Sequence, residues 1–478
     1  MLIKGKEEIW KIGTGILFPA FPVSPFTLIY TGFYLISIKE KYNRTMIELL
    51  KKIYPLRLAP VSSGSDECCS IISGELDFTI HEYKSGSEYN SWIIPQKWEV
   101  KKAEIYKNGK LIYNGIVHPL GVIGYSCSFQ GEIELKELKK HLFYTKKLPD
   151  AIGYLGGQFY RVWEKKWGFC IPYNIYKNLE EGEYIVDLQT EYDDGTVKVC
   201  DYFLSSGSDK TIVFNAHNCH AGQANDNISG VVVGIELIKK LSKVSRKFNY
   251  RLIIGPEFYG TIFLLSNMPK EQIQKIKYCF FLEGLGTESR FALQESFTGE
   301  SELDKAAKHY FKHHHPDFFS DKFRKIIGND ETVWEAPGYE IPTISLSRFP
   351  YPEYHTSMDN DDIISEDKLK ESVNAILGIL NILESNCFLN RKFEGLISLS
   401  NPKYDLYFPQ ANPTSLPELA ENKKKWNYLM DCLPRYFDKK NSILDISNKH
   451  DLPFDDVYKY ICKFEEKGLI EMIDIDEV

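Results

Sequence analysis

The chain contains one dense group of side chains able to bind a metal ion, within residues 217–230 (HNCHAGQANDNISG). His217 and His220 follow the apolar run TIVF, which has the pattern of a buried strand, and Asp226 comes soon after them. Imidazole nitrogens and carboxylate oxygens are ligands of Zn²⁺ in hydrolytic sites, which keep one position for water. Each residue alone has an ordinary explanation, such as a hydrogen-bonded histidine or an aspartate that caps a helix. A metal site therefore needs further ligands from distant parts of the chain.

Further donors follow other apolar runs of the sequence. Glu257 comes after RLIIGP, Glu283 lies within FFLEG, and His355 follows the run TISLS. These runs alternate with helical patterns, which predicts an α/β fold built on a mostly parallel sheet with helices on both faces. Ligands bind beyond the carboxyl ends of the strands in such sheets, so we expect these side chains to meet at one edge. Together with residues 217–226 they predict a zinc site, because ionisable groups gathered there would pair poorly without a cation.

Zinc at such an edge would support hydrolysis. The ion lowers the pKa of a bound water towards ~7 and polarises a carbonyl group, and a nearby glutamate can accept the proton of the water. Glu257 is the candidate for this general base. Arg348, which ends the run TISLSR, is a candidate contact for an anion or a carboxylate of the substrate.

Composition excludes several classes of function. A chain of 478 residues is long enough for several domains, and its net charge of −8 argues against general affinity for nucleic acid or anionic membranes. Ten cysteines in this length, without a CxxC motif, indicate neither a disulfide framework nor a zinc ribbon. A reducing cytoplasm is the predicted compartment.

Residues 12–38 carry no formal charge and raise the question of a membrane segment. A spanning helix needs ~20 apolar residues, and Pro19, Pro22 and Pro25 interrupt the first half of this stretch. Contact with a membrane through 12–38 is therefore the less favoured interpretation.

The pattern along the chain changes several times. Short alternating segments around the hairpin signal Asn108-Gly109 predict a small β-rich unit inserted into the α/β domain. A Pro- and Asn-rich passage precedes the last helical patterns, which have the outline of a winged helix-turn-helix. The predicted parts are an N-terminal extension of unclear status (1–45), the α/β domain (46–77 and 136–385), the inserted β unit (78–135), and a linker with the winged helix (386–478).

The C-terminal unit is acidic. Residues 441–478 contain ten Asp or Glu and four Lys, whereas a DNA-binding helix needs basic side chains to neutralise phosphate. We expect this unit to contact protein, for example in a homo-oligomer, and not nucleic acid.

Four longer motifs resemble a known family. TIVFNAHNCHAGQANDNISG, GPEFYGTIFLL, GNDETVWEAPGYEIP and YPEYHTSMDN are similar to the aminopeptidase-like domain of bacterial proteins associated with polysaccharide biosynthesis. These proteins are distant relatives of the co-catalytic zinc aminopeptidases and of glutaminyl cyclase. The resemblance extends from about Met46 to the C-terminus, including the inserted β unit and the winged helix, and does not cover residues 1–45.

The resemblance assigns metal ligands at matching positions. His217 matches the histidine at the strand end, but Cys219 stands where the family has Asp, and His220 follows directly. This departure leaves open which of the two histidines binds metal, and His220 is preferred. Asp226 matches the metal-bridging aspartate. Glu283 and His355 match a later acidic ligand and the last histidine.

The resemblance also identifies one loss. Where aminopeptidases have Glu-Glu-x-Gly, with a general base followed by a ligand, this chain has Glu257-Phe258-Tyr259-Gly260. Aligned on the glycine, Glu257 is the base and the ligand is replaced by Phe258. Shifted by one residue, Glu257 is the ligand and the base is replaced by Pro256. One carboxylate is missing in either alignment, which favours one zinc ion over two. Asp330 matches an aspartate near the substrate site.

The function implied by these motifs is a zinc-dependent, aminopeptidase-like hydrolase. Its substrate would be an amide bond in a peptide or in a polysaccharide-linked group. The alternative is a catalytically silent, metal-containing binding or scaffold protein in polysaccharide biosynthesis. Sequence does not decide among peptidase, deacylase and cyclase.

Overall fold

The computed structural model describes residues 45–407 and 417–475. The predicted extension 1–45 and the stretch 12–38 lie outside this part, apart from Thr45. The strands, in chain order, are β1 (Thr79–Lys84), β2 (Glu88–Tyr89), β3 (Trp92–Ile93), β4 (Lys97–Lys107), β5 (Lys110–Asn114), β6 (Phe129–Glu134), β7 (Leu142–Phe143), β8 (Phe169–Cys170), β9 (Glu183–Asp193), β10 (Thr196–Leu204), β11 (Thr211–His217), β12 (Asn249–Gly255), β13 (Ile276–Leu282), β14 (Phe291–Gln294), β15 (Phe319–Asp321), β16 (Thr343–Arg348), β17 (Cys387–Arg391), β18 (Asp438–Ser442) and β19 (Ile470–Asp474).

Helices separate most of these strands. In chain order they are α1 (Met46–Ile53), α2 (Ser63–Ser73), α3 (Leu135–Leu138), α4 (Tyr173–Tyr176), α5 (Gly230–Leu241), α6 (Tyr259–Asn267), α7 (Lys270–Gln274), α8 (Glu302–His314), α9 (Glu331–Trp334), α10 (Glu366–Ser385), α11 (Pro417–Cys432), α12 (Ile443–His450) and α13 (Phe454–Glu466). Among the residues that the structure describes, none of these helices combines the length and apolar character needed to cross a bilayer.

A large sheet forms the centre of the fold. Its eight strands have the order β1-β10-β12-β11-β13-β16-β14-β15, and the four middle strands from β12 to β16 are parallel to one another. Antiparallel pairs bring in β1 and β10 on one side and β14 on the other. The predicted α/β class with a mostly parallel sheet and helices is confirmed.

Both faces of the central strands are buried. Every residue of β11 is buried, and alternate residues point into different cores, as the period of two of a strand requires. Phe214 packs in the core that contains α5 and α10, whereas Val213 packs in the core that contains α6 and Trp334. A nearly continuous apolar run such as TIVF is therefore expected here, because neither face of the strand meets water.

The inserted β-rich unit is a four-stranded antiparallel sheet of order β5-β4-β9-β6. Strand pairing crosses the predicted limits 78–135, because β1 joins the central sheet and β9, further along the chain, joins this smaller one. Separate cores fill the two sheets. The division of the chain into domains stays a prediction.

The C-terminal part contains α11, β18, α12, α13 and β19, and β17 joins β18 and β19 in a three-stranded sheet. Apolar side chains of α12 and α13 share one core with α8 and α10. This order of elements is compatible with the predicted winged helix-turn-helix, which stays a prediction.

Candidate metal centre

The carboxyl ends of the four parallel strands bring the predicted donor side chains together. His217 ends β11, Glu283 follows β13, and Glu257 follows β12 by two residues. Asp226 lies in the helical turn Ala224–Ser229 that precedes α5, and His355 lies in the loop after β16. Because parallel strands end at the same edge of a sheet, residues far apart in sequence become neighbours here.

The donor atoms face one another around the carboxylate of Asp226. Its Oδ1 is 3.2 Å from both His217 Nε2 and His220 Nδ1, and its Oδ2 is 3.0 Å from His355 Nε2. The same His217 nitrogen is 3.7 Å from Glu283 Oε1. Four donors bound tetrahedrally at 2.0–2.1 Å would be about 3.3 Å apart, so these separations match the edges of a metal coordination shell.

Several of these atoms are buried without a hydrogen bond. Within the described part of the chain, neither ring nitrogen of His217 has a hydrogen-bond partner, and the same holds for Asp226 Oδ2, Glu283 Oε2 and His355 Nε2. Buried polar atoms are normally hydrogen-bonded, since an unpaired one costs about 1–3 kcal/mol. A cation among them would satisfy these atoms at once. The residues present therefore fit a divalent metal ion with nitrogen and oxygen ligands.

Two triads of donors share Asp226. One contains His217 and Glu283, and the other contains His220 and His355. Each of the two histidines whose assignment the sequence leaves open thus has a place beside Asp226. A third group joins His217 and His220 to the sulfur of Cys219. The predicted preference for one ion stays a prediction.

Burial and mutual attraction set the protonation of this cluster. Burial opposes charge on His220, but Asp226 outweighs it and raises the pKa of His220 to about 10. Burial would raise the pKa of Asp226, yet His220 and the other imidazoles hold that pKa well below its usual value. The pKa of Glu283 is raised to about 7 by its burial. In the metal-free protein the imidazoles of His217 and His220 therefore carry protons that a metal ion would have to replace.

Outer residues fix the position of Asp226. The carboxylate of Asp359 accepts hydrogen bonds from the backbone N–H groups of Asn225 and Asp226, at 2.6 and 3.1 Å, and from the hydroxyl of Tyr351 at 2.9 Å. The Asn227 side chain donates to Leu282 O at 2.6 Å. Asp359 thus holds the turn to the loop after β16 and Asn227 holds it to β13, so the carboxylate between the histidines has a defined orientation.

Glu257 lies beside the two triads. Its Oε2 accepts a hydrogen bond of 2.5 Å from the Tyr160 hydroxyl and is 3.3 Å from His220 Nε2. Burial would raise the pKa of Glu257, but His220 and Tyr160 lower it, so the side chain is an anion able to accept a proton. The backbone N–H of Glu257 donates to Cys219 Sγ at 3.3 Å.

The turn that presents Glu257 is strained. Phe258 has φ +58° and ψ −59°, and Tyr259 N donates to Glu257 O at 2.7 Å, which together define a γ-turn with positive φ. Asp330 stabilises this turn, because its carboxylate accepts hydrogen bonds from Phe258 N and Thr261 Oγ1, both at 2.5 Å. Strain of this kind is retained mainly at functional sites. Both oxygens of Asp330 are thus engaged by the turn, and its predicted contact with substrate stays a prediction.

Aromatic rings pack against His355, whose φ is +58°. The ring of Tyr354 stacks on it with centroids 3.9 Å apart, and Tyr154 lies 5.0 Å from it and 4.7 Å from His220. Tyr154 N also donates to His355 O at 2.9 Å. The segment before β8 therefore closes one side of the cluster.

Arg348 is not part of this cluster. Its guanidinium is buried, pairs with Glu371 at 2.7 Å, donates to Ser372 Oγ at 3.1 Å and to Ser289 O at 3.0 Å, and lies over the ring of Phe291. Because these partners already use its donors, the geometry gives no support to the predicted contact with a substrate anion.

Sequence reasoning did not identify three residues of the site: Tyr160, Asp359 and Asn329. The side chain of Asn329 donates a hydrogen bond to Glu283 Oε1 at 3.3 Å. Asp359 and Asn329 lie within the motifs YPEYHTSMDN and GNDETVWEAPG, which contain the only sequence signal for them. Tyr160 has no such signal, because only the packing of the segment around it places its hydroxyl on Glu257.

The fold is a mixed α/β architecture similar to that of zinc aminopeptidases. BSAP, a zinc aminopeptidase from Bacillus subtilis, superposes with a TM-score of 0.53 at 13% identity, over 70% of this chain and 93% of that one. A crystal structure named for a peptidase of Clostridium acetobutylicum superposes with a TM-score of 0.76 at 24% identity, over 93% of this chain and 97% of that one.

The chain belongs to the family described as a domain of unknown function, DUF4910, whose pattern matches residues 47–386. A Clostridium acetobutylicum protein named for polysaccharide biosynthesis with an aminopeptidase-like domain is 27% identical over 421 residues, which cover 87% of this chain and 92% of that protein. The resemblance to proteins with an aminopeptidase-like domain, inferred from the four motifs, is thereby confirmed, whereas its extension to a winged helix stays a prediction.

Proposed function

We propose that this protein is a metal-dependent hydrolase that cleaves an amide bond, in a peptide or in a polysaccharide-linked substrate. The observation that carries the proposal is the set of buried, unpaired donor atoms of His217, Asp226, Glu283 and His355 beside the carboxylate of Glu257. Relatives named as zinc aminopeptidases and as an aminopeptidase-like protein support the same class.

The residues that would hold the metal are those of the two triads. His217, His220 and His355 offer imidazole nitrogens, and Asp226 and Glu283 offer carboxylate oxygens. A zinc-class ion bound there supplies a water of lowered pKa and a Lewis acid for a carbonyl oxygen. Softer nitrogen ligands together with carboxylates suit zinc better than magnesium or calcium, which take oxygen ligands.

Glu257 is the proposed proton acceptor. Tyr160 occupies its Oε2, so the other carboxylate oxygen, for which the described residues provide no hydrogen bond, is the one that would take a proton from the nucleophilic water. The same carboxyl group would then donate that proton to the leaving nitrogen. Asp330 holds the turn that carries Glu257 and thereby keeps this oxygen in position.

Metal analysis is the first test. Protein purified without chelator should contain a zinc-class ion that Asp226→Asn removes. Absence of such an ion from the unaltered protein, together with failure to bind added zinc, would contradict the proposal.

Glu257→Gln separates catalysis from binding alone. General-base catalysis contributes typically ~10²–10⁴-fold, so this variant should lose that much turnover on any amide substrate found, while its metal content stays unchanged. Equal turnover in both proteins would exclude Glu257 as the base. Lack of turnover in both, with metal bound, would favour the catalytically silent alternative.

A further inference from the structure

A cavity of about 410 Å³ lies at the edge of the central sheet opposite to the edge that carries the donor cluster. Its lining includes Thr211 at the start of β11, Arg251 in the first half of β12 and Phe203 near the end of β10. The loop between β10 and β11 and the end of α7 complete this lining. We call it the amino-edge cavity, and its volume lies in the range typical of small-molecule sites.

Three hydroxyl groups of the amino-edge cavity have a hydrogen atom to donate. Ser205 Oγ accepts a bond from Gly207 N at 3.2 Å, and Ser208 Oγ accepts one from Lys210 N at 3.1 Å. Within the described part of the chain, neither serine hydroxyl donates a bond in return. Thr211 is only 5% exposed, and its hydroxyl has no hydrogen-bond partner among the described residues. Since buried hydroxyl groups are normally paired, these groups are suited to a ligand that offers acceptor atoms.

Two cations add to these donors. The guanidinium of Arg251 donates from Nε and Nη2 to the carboxylate of Asp201, at 2.7 and 2.5 Å, and from Nη1 to Met268 Sδ at 3.5 Å. These bonds use three of its five N–H groups and leave two. Lys275 is exposed, and its ammonium pairs with no carboxylate of the described residues.

The charge of the lining indicates an anionic ligand. Among the described residues, no aspartate or glutamate lines the amino-edge cavity. Asp201, the partner of Arg251, also contacts His81 Nε2 at 2.9 Å and is not part of the lining. Donors and positive charge are thus gathered in one place in a chain whose net charge is −8. A phosphate group, with several acceptor oxygens and negative charge, matches this set.

Phe203 gives the cavity an apolar wall. It is 52% exposed, although it belongs to a strand of the central sheet. Phe203 lies opposite Arg251 in the pairing of β10 with β12, so the ring and the guanidinium are on the same face of the sheet. An exposed ring beside donors for a phosphate is suited to a ligand in which a ring is joined to the phosphate.

We infer that the amino-edge cavity binds a small organic phosphate whose ring lies against Phe203. Lys275, Arg251 and the three hydroxyl groups bind the phosphate oxygens. Nucleoside monophosphates and sugar phosphates share this chemistry, and stacking of a base on the ring would favour the nucleotide. The inference is independent of the proposed function, because no residue of the cavity belongs to the metal centre.

Calorimetry on the full chain tests this inference with four compounds: uridine monophosphate, glucose 1-phosphate, uridine and inorganic phosphate. We expect at least one of the two organic phosphates to bind at least about tenfold more tightly than inorganic phosphate and than uridine. The tighter of the two identifies the kind of ring. Because a metal ion also binds phosphate, the titrations are repeated on Asp226→Asn, which should keep the affinities of the unaltered protein.

Two substitutions at exposed positions should weaken this binding. Lys275→Gln removes a charge and should lower the affinity for the organic phosphate about tenfold or more. Phe203→Ala removes the ring and should lower that affinity towards the value for inorganic phosphate. Lys270→Gln is the matched control, because Lys270 is an exposed lysine at the start of α7 that does not line the cavity. The control should bind like the unaltered protein.

Several results would overturn the inference. These are the failure of both organic phosphates to bind, equal binding of uridine or inorganic phosphate, and unchanged affinity in either Lys275→Gln or Phe203→Ala. Loss of binding in Asp226→Asn would place the phosphate at the metal centre and would overturn the inference while supporting a metal ion there. Metal analysis of the unaltered protein tests the proposed function separately, so each proposal can fail without the other.

Discussion

His309 and the histidines of the sheet-edge cluster differ in how their nitrogens are used. At the contact between α8 and the C-terminal helices, Phe454 N donates to His309 Nε2 at 3.0 Å, and His309 Nδ1 pairs with Asn448 Oδ1 at 2.7 Å. Both ring nitrogens of His309 therefore have hydrogen-bond partners. The ring is neutral, because a nitrogen that accepts a hydrogen bond carries no proton. At the sheet edge, His217 and His355 have nitrogens that face carboxylates without a hydrogen bond.

This difference separates a structural histidine from a ligand. His309 has one donor and one acceptor in place, which is what a neutral imidazole needs inside a protein. The sheet-edge cluster instead gathers donor atoms around one point, and several of them have no hydrogen-bond partner among the described residues, a need that a cation would meet. Burial alone does not distinguish a ligand from a structural histidine, because His217 and His309 are both almost fully buried.

Removal of the shared carboxylate should have the largest effect. Asp226→Asn takes a ligand from both triads, so zinc affinity should fall by more than the 10- to 100-fold typical of an outer partner. Asp359→Asn, which alters only the support of the turn, should fall within that range. Competition with a chelator measures both affinities, and equal losses in the two variants would contradict the central place of Asp226.

Exchange of His309 or of His355 for alanine should give opposite results. His309→Ala leaves Phe454 N and Asn448 unpaired and should lower the free energy of unfolding by about 2–4 kcal/mol, with metal content unchanged. His355→Ala should abolish tight metal binding but cost the metal-free protein about 1 kcal/mol or less, because its ring is 38% exposed. Denaturant unfolding with and without chelator, combined with metal analysis, checks both. Loss of metal in His309→Ala would contradict a purely structural role for His309.

The pH dependence of stability should report on His309. Burial lowers its pKa from the usual 6.5 to about 4, and Lys312 and His313 act in the same direction. The folded protein therefore binds fewer protons here than the unfolded chain between these values. Stability from this residue is complete above pH 6.5 and is lost as pH falls towards 4, by up to about 3 kcal/mol.

His309→Gln is the matched variant for this measurement, since it removes the titration and keeps polar atoms. Its free energy of unfolding should vary less with pH than that of the unaltered protein between pH 4 and 6.5. Identical slopes would show that His309 does not titrate in this window.

The smallest effect should come from the charges around the same contact. Asp451 pairs with Lys312 at 2.5 Å and with Lys425 at 2.7 Å, and its carboxylate is 42% exposed. Exposed pairs contribute about 0.2–1 kcal/mol each, so Asp451→Asn should lower the free energy of unfolding by about 1 kcal/mol and leave zinc affinity unchanged. A larger fall in the free energy of unfolding would mean that the contact between α8 and the C-terminal helices depends more on these ion pairs than on His309 and the apolar core.

The alternation of apolar runs with helices was sufficient to predict the central sheet, because strands buried on both faces read as nearly continuous apolar runs, such as IVF and FFL. Strand pairing was less predictable. β9 lies beyond the predicted β unit yet pairs with β4 and β6, and β1 lies within that unit yet pairs with β10. Such long-range pairings depend on which edges are free when the chain packs, and local pattern does not encode this.

Donor types and their positions after strands are local properties, so the sequence alone determined that His217, Asp226, Glu283 and His355 would lie near one sheet edge. Only the tertiary structure decided that both His217 and His220 contact Asp226, that Tyr160 bonds to Glu257, and that Arg348 is committed to Glu371. The physical reason is that a strand end fixes only the backbone position of a side chain. The loops that pack around it come from other parts of the chain and decide which atoms it contacts.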